Sequence, residues 1–166
     1  MAQRILIIGC PGSGKSTLAR ALQAKMGLPL YPLDLLYWKE DKTKTPREEF
    51  RSRLREILAT DAWIIDGNYA STMELRMQFC DTVILLDFPT EVCLRGIRER
   101  LGKPRPDMPW VETEEDSEFM DYVSSFQTTN RPAIYELLSR YPSIKQIVLR
   151  SRKEADDFLQ EPERYL

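Results

Sequence analysis

The chain has 166 residues, of which 24 are Lys or Arg and 26 are Asp or Glu, for a formal charge of −2. It contains no histidine, which excludes a Ser-His-Asp triad, a Cys-His pair, a histidine general base and any His-containing zinc site. The near-balanced charge lacks the basic excess of a protein that coats nucleic acid, and the length favours one domain with a core that needs no disulfide or structural metal.

Residues 4–8 form an apolar, β-branched run closed by a Gly-rich turn, which reads as a buried strand. Ile5–Ile8 is too short for a signal-peptide core or a membrane span. Leu18, Ala19, Ala21, Leu22 and Met26 recur at helical spacing over 15–26, with Gly27 and Pro29 as the stop. Residues 28–38 read as a second short strand with a loop, and 46–59 as a helix opened by Pro46. The apolar runs 62–66 and 82–87 each end in an acid, and Gly67-Asn68 turns the chain between them. Pro89 opens a helix to about 101; Gly102, Pro104, Pro106 and Pro109 make 102–113 a loop. A helix is expected from about 115 to Arg140, disturbed at Pro132. A last strand at 144–149 precedes a helix whose Ser151 and Glu154 form a capping box. Apolar strands alternating with helices argue for an α/β fold with a parallel sheet covered on both faces. Three cysteines, Cys10, Cys80 and Cys93, form no CxxC and leave an odd count, which points to a reduced, cytoplasmic chain.

The strongest motif is Gly9-Cys10-Pro11-Gly12-Ser13-Gly14-Lys15-Ser16, a full G-x-x-x-x-G-K-[ST] between an apolar strand and an amphipathic helix. Its glycines let backbone N–H groups converge on phosphate, and the helix adds the positive end of its dipole. Lys15 supplies a cation for the β- and γ-phosphates, Ser16 a hydroxyl for Mg²⁺, and Thr17 a reach to the α-phosphate. Cys10 reads as a small spacer within the loop.

Asp81–Pro89, with Arg95, Arg98 and Arg100 beyond it, resembles the strand, Pro-helix and LID entry of adenylate kinases, and the Gly9–Ser16 loop resembles theirs. Leu33-Asp34-Leu35-Leu36-Tyr37-Trp38 and Trp63-Ile64-Ile65-Asp66-Gly67-Asn68-Tyr69 are more similar to the adenylate-kinase-related bacterial proteins of the DNA topology modulation family. The resemblance spans nearly the whole chain. It implies a three-layer, nucleotide-kinase-like P-loop fold with a five-stranded parallel sheet in order 2-3-1-4-5. It further implies a single domain over 1–166, with an acceptor-binding insert at about 35–61 and a short LID at about 102–130.

Asp34 falls near the carboxyl edge of the sheet, where open α/β folds bind ligands. It is a candidate to orient or deprotonate an acceptor hydroxyl or to hold a metal-bound water; the alternative is a turn acid. Asp66 resembles the Asp-Gly acid after the third strand of adenylate kinases, the alternative being an Asx turn; Asn68 and Tyr69 are weaker candidates for acceptor contacts. Asp87 looks like a Walker-B acid and ranks third. Arg95, Arg98, Arg100, Lys103 and Arg105 crowd one helix end and its loop, where a closing LID would use them to neutralise developing charge. The plainer reading is a solvated charged hairpin. Arg100 best matches the second LID arginine of adenylate kinases. Arg131 is similar to the LID-return arginine of shikimate and gluconate-type kinases, placed to bridge donor and acceptor phosphates. Arg152 follows the last strand, where adenylate-kinase-like folds hold adenine, and either stacks on the base or lies exposed behind a Ser151 cap. Tyr37 and Trp38 are candidates to stack an acceptor base, while Trp38 and Trp63 are equally readable as core.

These residues favour an ATP- and Mg²⁺-dependent kinase of a small acceptor such as a nucleotide or nucleoside. The catalytic set is Lys15, Asp34, Asp66, Arg100 and Arg131. The nucleotide is held by Gly9, Pro11, Gly12, Ser13, Gly14, Lys15, Ser16, Thr17, Arg98 and Arg152, with Ser16 on the metal. Two other readings stand beside it: a nucleotide-dependent regulator of DNA topology, disfavoured by the charge, and a bare NTPase module. No membrane partner is expected.

Overall fold

The computed structural model describes residues 2–166. Five strands, β1 (Arg4–Gly9), β2 (Leu30–Pro32), β3 (Trp63–Asp66), β4 (Thr82–Leu86) and β5 (Lys145–Leu149), form one sheet in the order β2-β3-β1-β4-β5. Every pairing is parallel, with Ile7 opposite Asp66 on one side and Ile84 on the other. This is the expected strand order. Ile5–Ile8, Trp63–Ile65 and Val83–Leu86 are buried on both faces, so successive side chains meet a helical layer above and below the sheet and the runs carry no polar alternation.

The helices are α1 (Lys15–Met26), α2 (Leu33–Tyr37), α3 (Arg47–Leu58), α4 (Ala70–Met77), α5 (Thr90–Arg100), α6 (Ser117–Thr129), α7 (Arg131–Ser139) and α8 (Arg152–Gln160). Helix α1 ends as its sequence dictates. Gly27 takes a left-handed conformation and its N–H bonds the Gln23 carbonyl at 2.8 Å. Ser151 accepts the Glu154 N–H at 3.1 Å and starts α8, as the capping box requires.

Three local expectations are corrected. Residues 33–37 are helical, because the strand stops at Pro32 and Leu33 turns into the core. A helix absent from the expected elements, α4, follows the Gly67-Asn68 turn and buries Met73, Arg76 and Met77. The expected helix from 115 to 140 is two, parted at Asn130. Pro132 lacks an N–H and fits the first turn of α7 rather than the interior of a longer helix. The span 102–130 therefore holds two different structures. Residues 101–116 are a loop. Helix α6 begins where the Asp116 carboxylate caps the Glu118 and Phe119 N–H groups, and it buries Met120, Val123 and Phe126 in the core. Among the described residues no helix is long and apolar enough to cross a membrane.

Candidate active site

Because all five strands run the same way, their carboxyl ends open on one edge. A cavity of about 890 Å³ lies there, lined by the Pro11–Thr17 turn, Asp34, Asp66–Ala70, Arg100, Asp107 and Arg152, among others.

The Gly9–Ser16 segment forms the phosphate-loop turn. Gly12 and Gly14 take φ of +84° and +96°, a region that side chains with a Cβ avoid. Gly14 caps α1 with no side-chain acceptor on the first-turn N–H groups, which leaves them available to an anion. Helix α5 supports the loop from behind. A Cβ on Gly96 would stand 2.1 Å from the Gly12 carbonyl oxygen, so only glycine permits this approach. Arg152 crosses in front, with Nη1 3.4 Å from the Cβ position of Gly14. Lys15 Nζ donates to the Cys10 carbonyl at 3.3 Å. Burial pushes its pKa down, opposed by Asp66, Cys10 and Asp34. Cys10 is buried, and its thiol is pushed up by Cys93 and by burial, which fits a spacer rather than a nucleophile. Ser13 is buried and its hydroxyl has no hydrogen-bond partner among the described residues. Gly9 contributes backbone: its N–H and carbonyl both bond the side chain of Asn68.

Opposite the loop, β3 ends at Asp66, only 5% exposed. Burial pushes this carboxyl up to about 7, with the Lys15 ammonium working against the shift. Its Oδ2 has no hydrogen-bond partner among the described residues. Asp34, in the first turn of α2, accepts a hydrogen bond from the Tyr69 hydroxyl. Tyr69 has φ +37°, rare for a non-glycine residue. The turn is held by Arg76, a fully buried side chain that donates to the carbonyls of Gly67 at 2.8 Å, Tyr69 at 3.2 Å, and Asn68. Of the aromatic candidates, Trp63 is core and Trp38 lines the cavity.

The 101–116 loop closes the remaining side. Asp107 is 2% exposed; its Oδ2 accepts from the Ser16 hydroxyl at 2.9 Å and lies 3.4 Å from Arg105 Nη1. Its Oδ1 stands 3.6 Å from Arg20 Nη1. Arg100 also faces the cavity, with its guanidinium 5.8 Å from the Phe119 ring and 3.8 Å from Glu112.

The structure thus brings together Pro11, Gly12, Gly14, Lys15, Ser16, Thr17, Asp34, Asp66, Arg100 and Arg152 around one cavity. It places Arg98 and Arg131 elsewhere. Arg98 is exposed and paired with Glu115 at 2.8 Å. Arg131 does not bridge toward the phosphate loop. Its Nε and Nη2 grip Asp87 at 2.9 and 3.0 Å, beside a 2.6 Å bond from the Tyr135 hydroxyl to the same carboxylate. Asp87 is therefore held as an ion-pair partner.

Four site residues escaped sequence reasoning: Arg20, Arg76, Gly96 and Asp107. Arg20 was within reach, since it sits one helical turn from Ser16 on the same face of α1. Asp107, in a Pro-rich loop without periodicity, carries no such signal.

Ser16, Asp66 and Asp107 all line this cavity and offer it only oxygen atoms, the chemistry that suits Mg²⁺. Among the described residues no cluster of three or more His, Cys, Asp or Glu side chains is placed to hold a metal ion.

Strand order, phosphate-loop turn and edge cavity define a P-loop kinase-like fold. A family model described as an AAA domain matches residues 5–121, and the chain belongs to that family. No curated protein matches the sequence. Among solved structures, shikimate kinase from Bacteroides thetaiotaomicron is 20% identical with a TM-score of 0.64, over 99% of this chain and 98% of that one. Shikimate kinase from Acinetobacter baumannii, in complex with shikimate, is 17% identical with a TM-score of 0.65, over 98% and 91%. A sugar kinase from a Janibacter species is 15% identical with a TM-score of 0.56, over 99% and 94%. At these identities the likeness is one of fold.

Proposed function

We propose that this protein is an ATP-dependent phosphotransferase that passes the γ-phosphoryl group to a small acceptor, a nucleotide or nucleoside. One observation carries the reading: a single cavity is lined by a phosphate-loop turn with free helix N–H groups and, across from it, by Asp34 and Asp66.

Phosphoryl transfer needs alignment and charge neutralisation more than covalent help. Backbone N–H groups of the loop hold the donor phosphates. Lys15, largely desolvated, meets the β- and γ-phosphates with a cation whose field is weakly screened. Arg100 faces the migrating group from the loop side, and Arg152 lies against the base. Asp34, steadied by Tyr69, orients the acceptor hydroxyl and takes its proton. Asp66 lies beside Lys15 at the floor of the site. Ser16, with Asp66 and Asp107 nearby, would hold Mg²⁺, which when bound neutralises phosphate charge. Loop 101–116 serves as the LID, and 35–61 as the acceptor-side insert.

The resemblance to adenylate-kinase-related topology modulation proteins, carried by Leu33–Trp38 and Trp63–Tyr69, supports a nucleotide or nucleoside acceptor. The structural neighbours are named for shikimate and sugar, so these acceptors belong in the same assay. Incubation with γ-labelled ATP and a panel of nucleosides, nucleotides, shikimate and sugars is expected to label one acceptor class. Lys15→Ala should abolish labelling and leave the protein folded. ATP binding with no labelled acceptor, or turnover retained by Lys15→Ala, would refute the proposal.

A further inference from the structure

Asp107 sits oddly for a loop acid. The 101–116 loop carries it across the sheet edge to α1, where it is 2% exposed and bonded to the Ser16 hydroxyl at 2.9 Å. Ninety-one positions of sequence separate the two residues. Arg105 Nη1 donates to the same Oδ2 at 3.4 Å, a long hydrogen bond, and Arg20 Nη1 stands 3.6 Å from Oδ1, which has no hydrogen-bond partner among the described residues. A buried carboxylate normally fills its lone pairs, because an unsatisfied buried acceptor is costly. Here one oxygen takes the hydroxyl that P-loops use for their metal, and the other, buried beside Arg20, is left without a hydrogen bond in a residue that lines the same cavity.

We infer that Asp107 is a metal-site residue delivered by the loop. Together with Ser16 it holds the divalent cation of the bound nucleotide, so that cation binding and loop closure are one event. This inference rests on the nucleotide-binding reading above. The protein supplies few donors, and no cluster of three or more acids among the described residues could hold a cation unaided. That is the arrangement Mg²⁺ tolerates: one or two protein oxygens, with phosphate oxygens and water completing the shell. The site is thereby selective for the metal–nucleotide complex over either component alone. Closure is reported by the far end of the loop, where Trp110 packs edge-on against Trp38 at a centroid distance of 5.4 Å.

The test uses Mn²⁺ as the metal probe and the β,γ-imido analogue of ATP as the nucleotide. Mn²⁺ affinity is read from the EPR signal of the free ion with the analogue saturating, and analogue affinity is read separately in EDTA. Asp107→Asn keeps the size and one acceptor oxygen but removes the charge. It should weaken Mn²⁺ binding by about tenfold or more and change analogue affinity in EDTA by less than about threefold. Asp107→Glu, which restores the carboxylate, should recover part of the Mn²⁺ affinity and guards against a variant that merely misfolds. Mn²⁺ affinity within about twofold of wild type in Asp107→Asn overturns the inference and leaves nucleotide binding standing. Failure of the wild-type protein to bind the analogue in either buffer overturns both.

Discussion

Asn68 and Gly9 are bonded in both directions: the Gly9 N–H donates to Asn68 Oδ1 at 3.0 Å, and Asn68 Nδ2 donates to the Gly9 carbonyl at 2.6 Å. The first glycine of the phosphate loop is thereby tied to the turn that follows Asp66, and the two halves of the site share one clamp. Asn68→Ala leaves both Gly9 backbone groups without this partner. It should cost about 1–3 kcal/mol of stability and weaken ATP binding. Urea unfolding and calorimetric titration of the same variant measure the two effects.

Asp66 makes stability depend on pH. Burial raises its carboxyl to about 7 in the folded chain, against about 3.9 when unfolded. Between those values the folded state keeps a proton that the unfolded state has released. Its contribution to stability is therefore greatest at low pH, falls as pH rises from about 4 to about 7, and is flat above. In EDTA, Asp66→Asn should remove this part of the slope. Urea midpoints of both proteins at about pH 5 and about pH 8 decide it, and parallel behaviour would contradict the assignment.

Arg76 holds a strained turn from inside the core. Burial pushes its guanidinium down to about 9, yet it serves three carbonyls of residues 67–69. Arg76→Met fills similar space without donors, so those carbonyls lose their partner and Tyr69 loses the support for its φ of +37°. A loss of about 3 kcal/mol is expected. A drop in turnover should accompany it, because Tyr69 orients Asp34. Thermal unfolding and steady-state kinetics check the pair of effects.

Gly96 and Gly12 touch backbone to backbone. Gly96→Ala forces a Cβ into the Gly12 carbonyl and should displace the loop, at a cost of about 1–3 kcal/mol and with a large rise in the Kd for ATP. Unchanged nucleotide affinity would show that α5 does not set the loop's position.

Two arginines separate on kinetics. Arg100 faces the cavity, whereas Arg131 is spent on Asp87 and Tyr135. Arg100→Gln should lower kcat by about 100-fold or more. Arg131→Gln should change kcat by less than about threefold and lower stability by about 1 kcal/mol, since its pair is partly exposed. The reverse ranking would return Arg131 to the catalytic set.

Much of the molecule was legible in local sequence. The Gly9–Ser16 turn, the strand runs, the Gly27 stop and the Ser151 cap depend on backbone conformations and short-range hydrogen bonds, which neighbouring residues dictate. Asp66 at the end of β3 and Asp34 just beyond the end of β2 could be assigned to the ligand edge because parallel strands put all their carboxyl ends together. The break at Asn130 and the helix at 33–37 were less legible, since apolar spacing alone does not distinguish one helix from two or a short helix from a strand.

By itself the sequence determined the fold class and the phosphate loop, and its lack of histidine excludes imidazole from the lysine, arginine, carboxylate and hydroxyl groups that line the cavity. Tertiary structure decided how those groups are distributed. It buried Asp107 against Ser16, drew Arg131 away to Asp87, set Arg76 beneath the Tyr69 turn and pressed Gly96 onto Gly12. Three of these contacts join separate elements, the one made by Arg76 ties α4 to the turn that precedes it, and the energy of each comes from desolvation and close packing. Neither exists until the sheet has assembled.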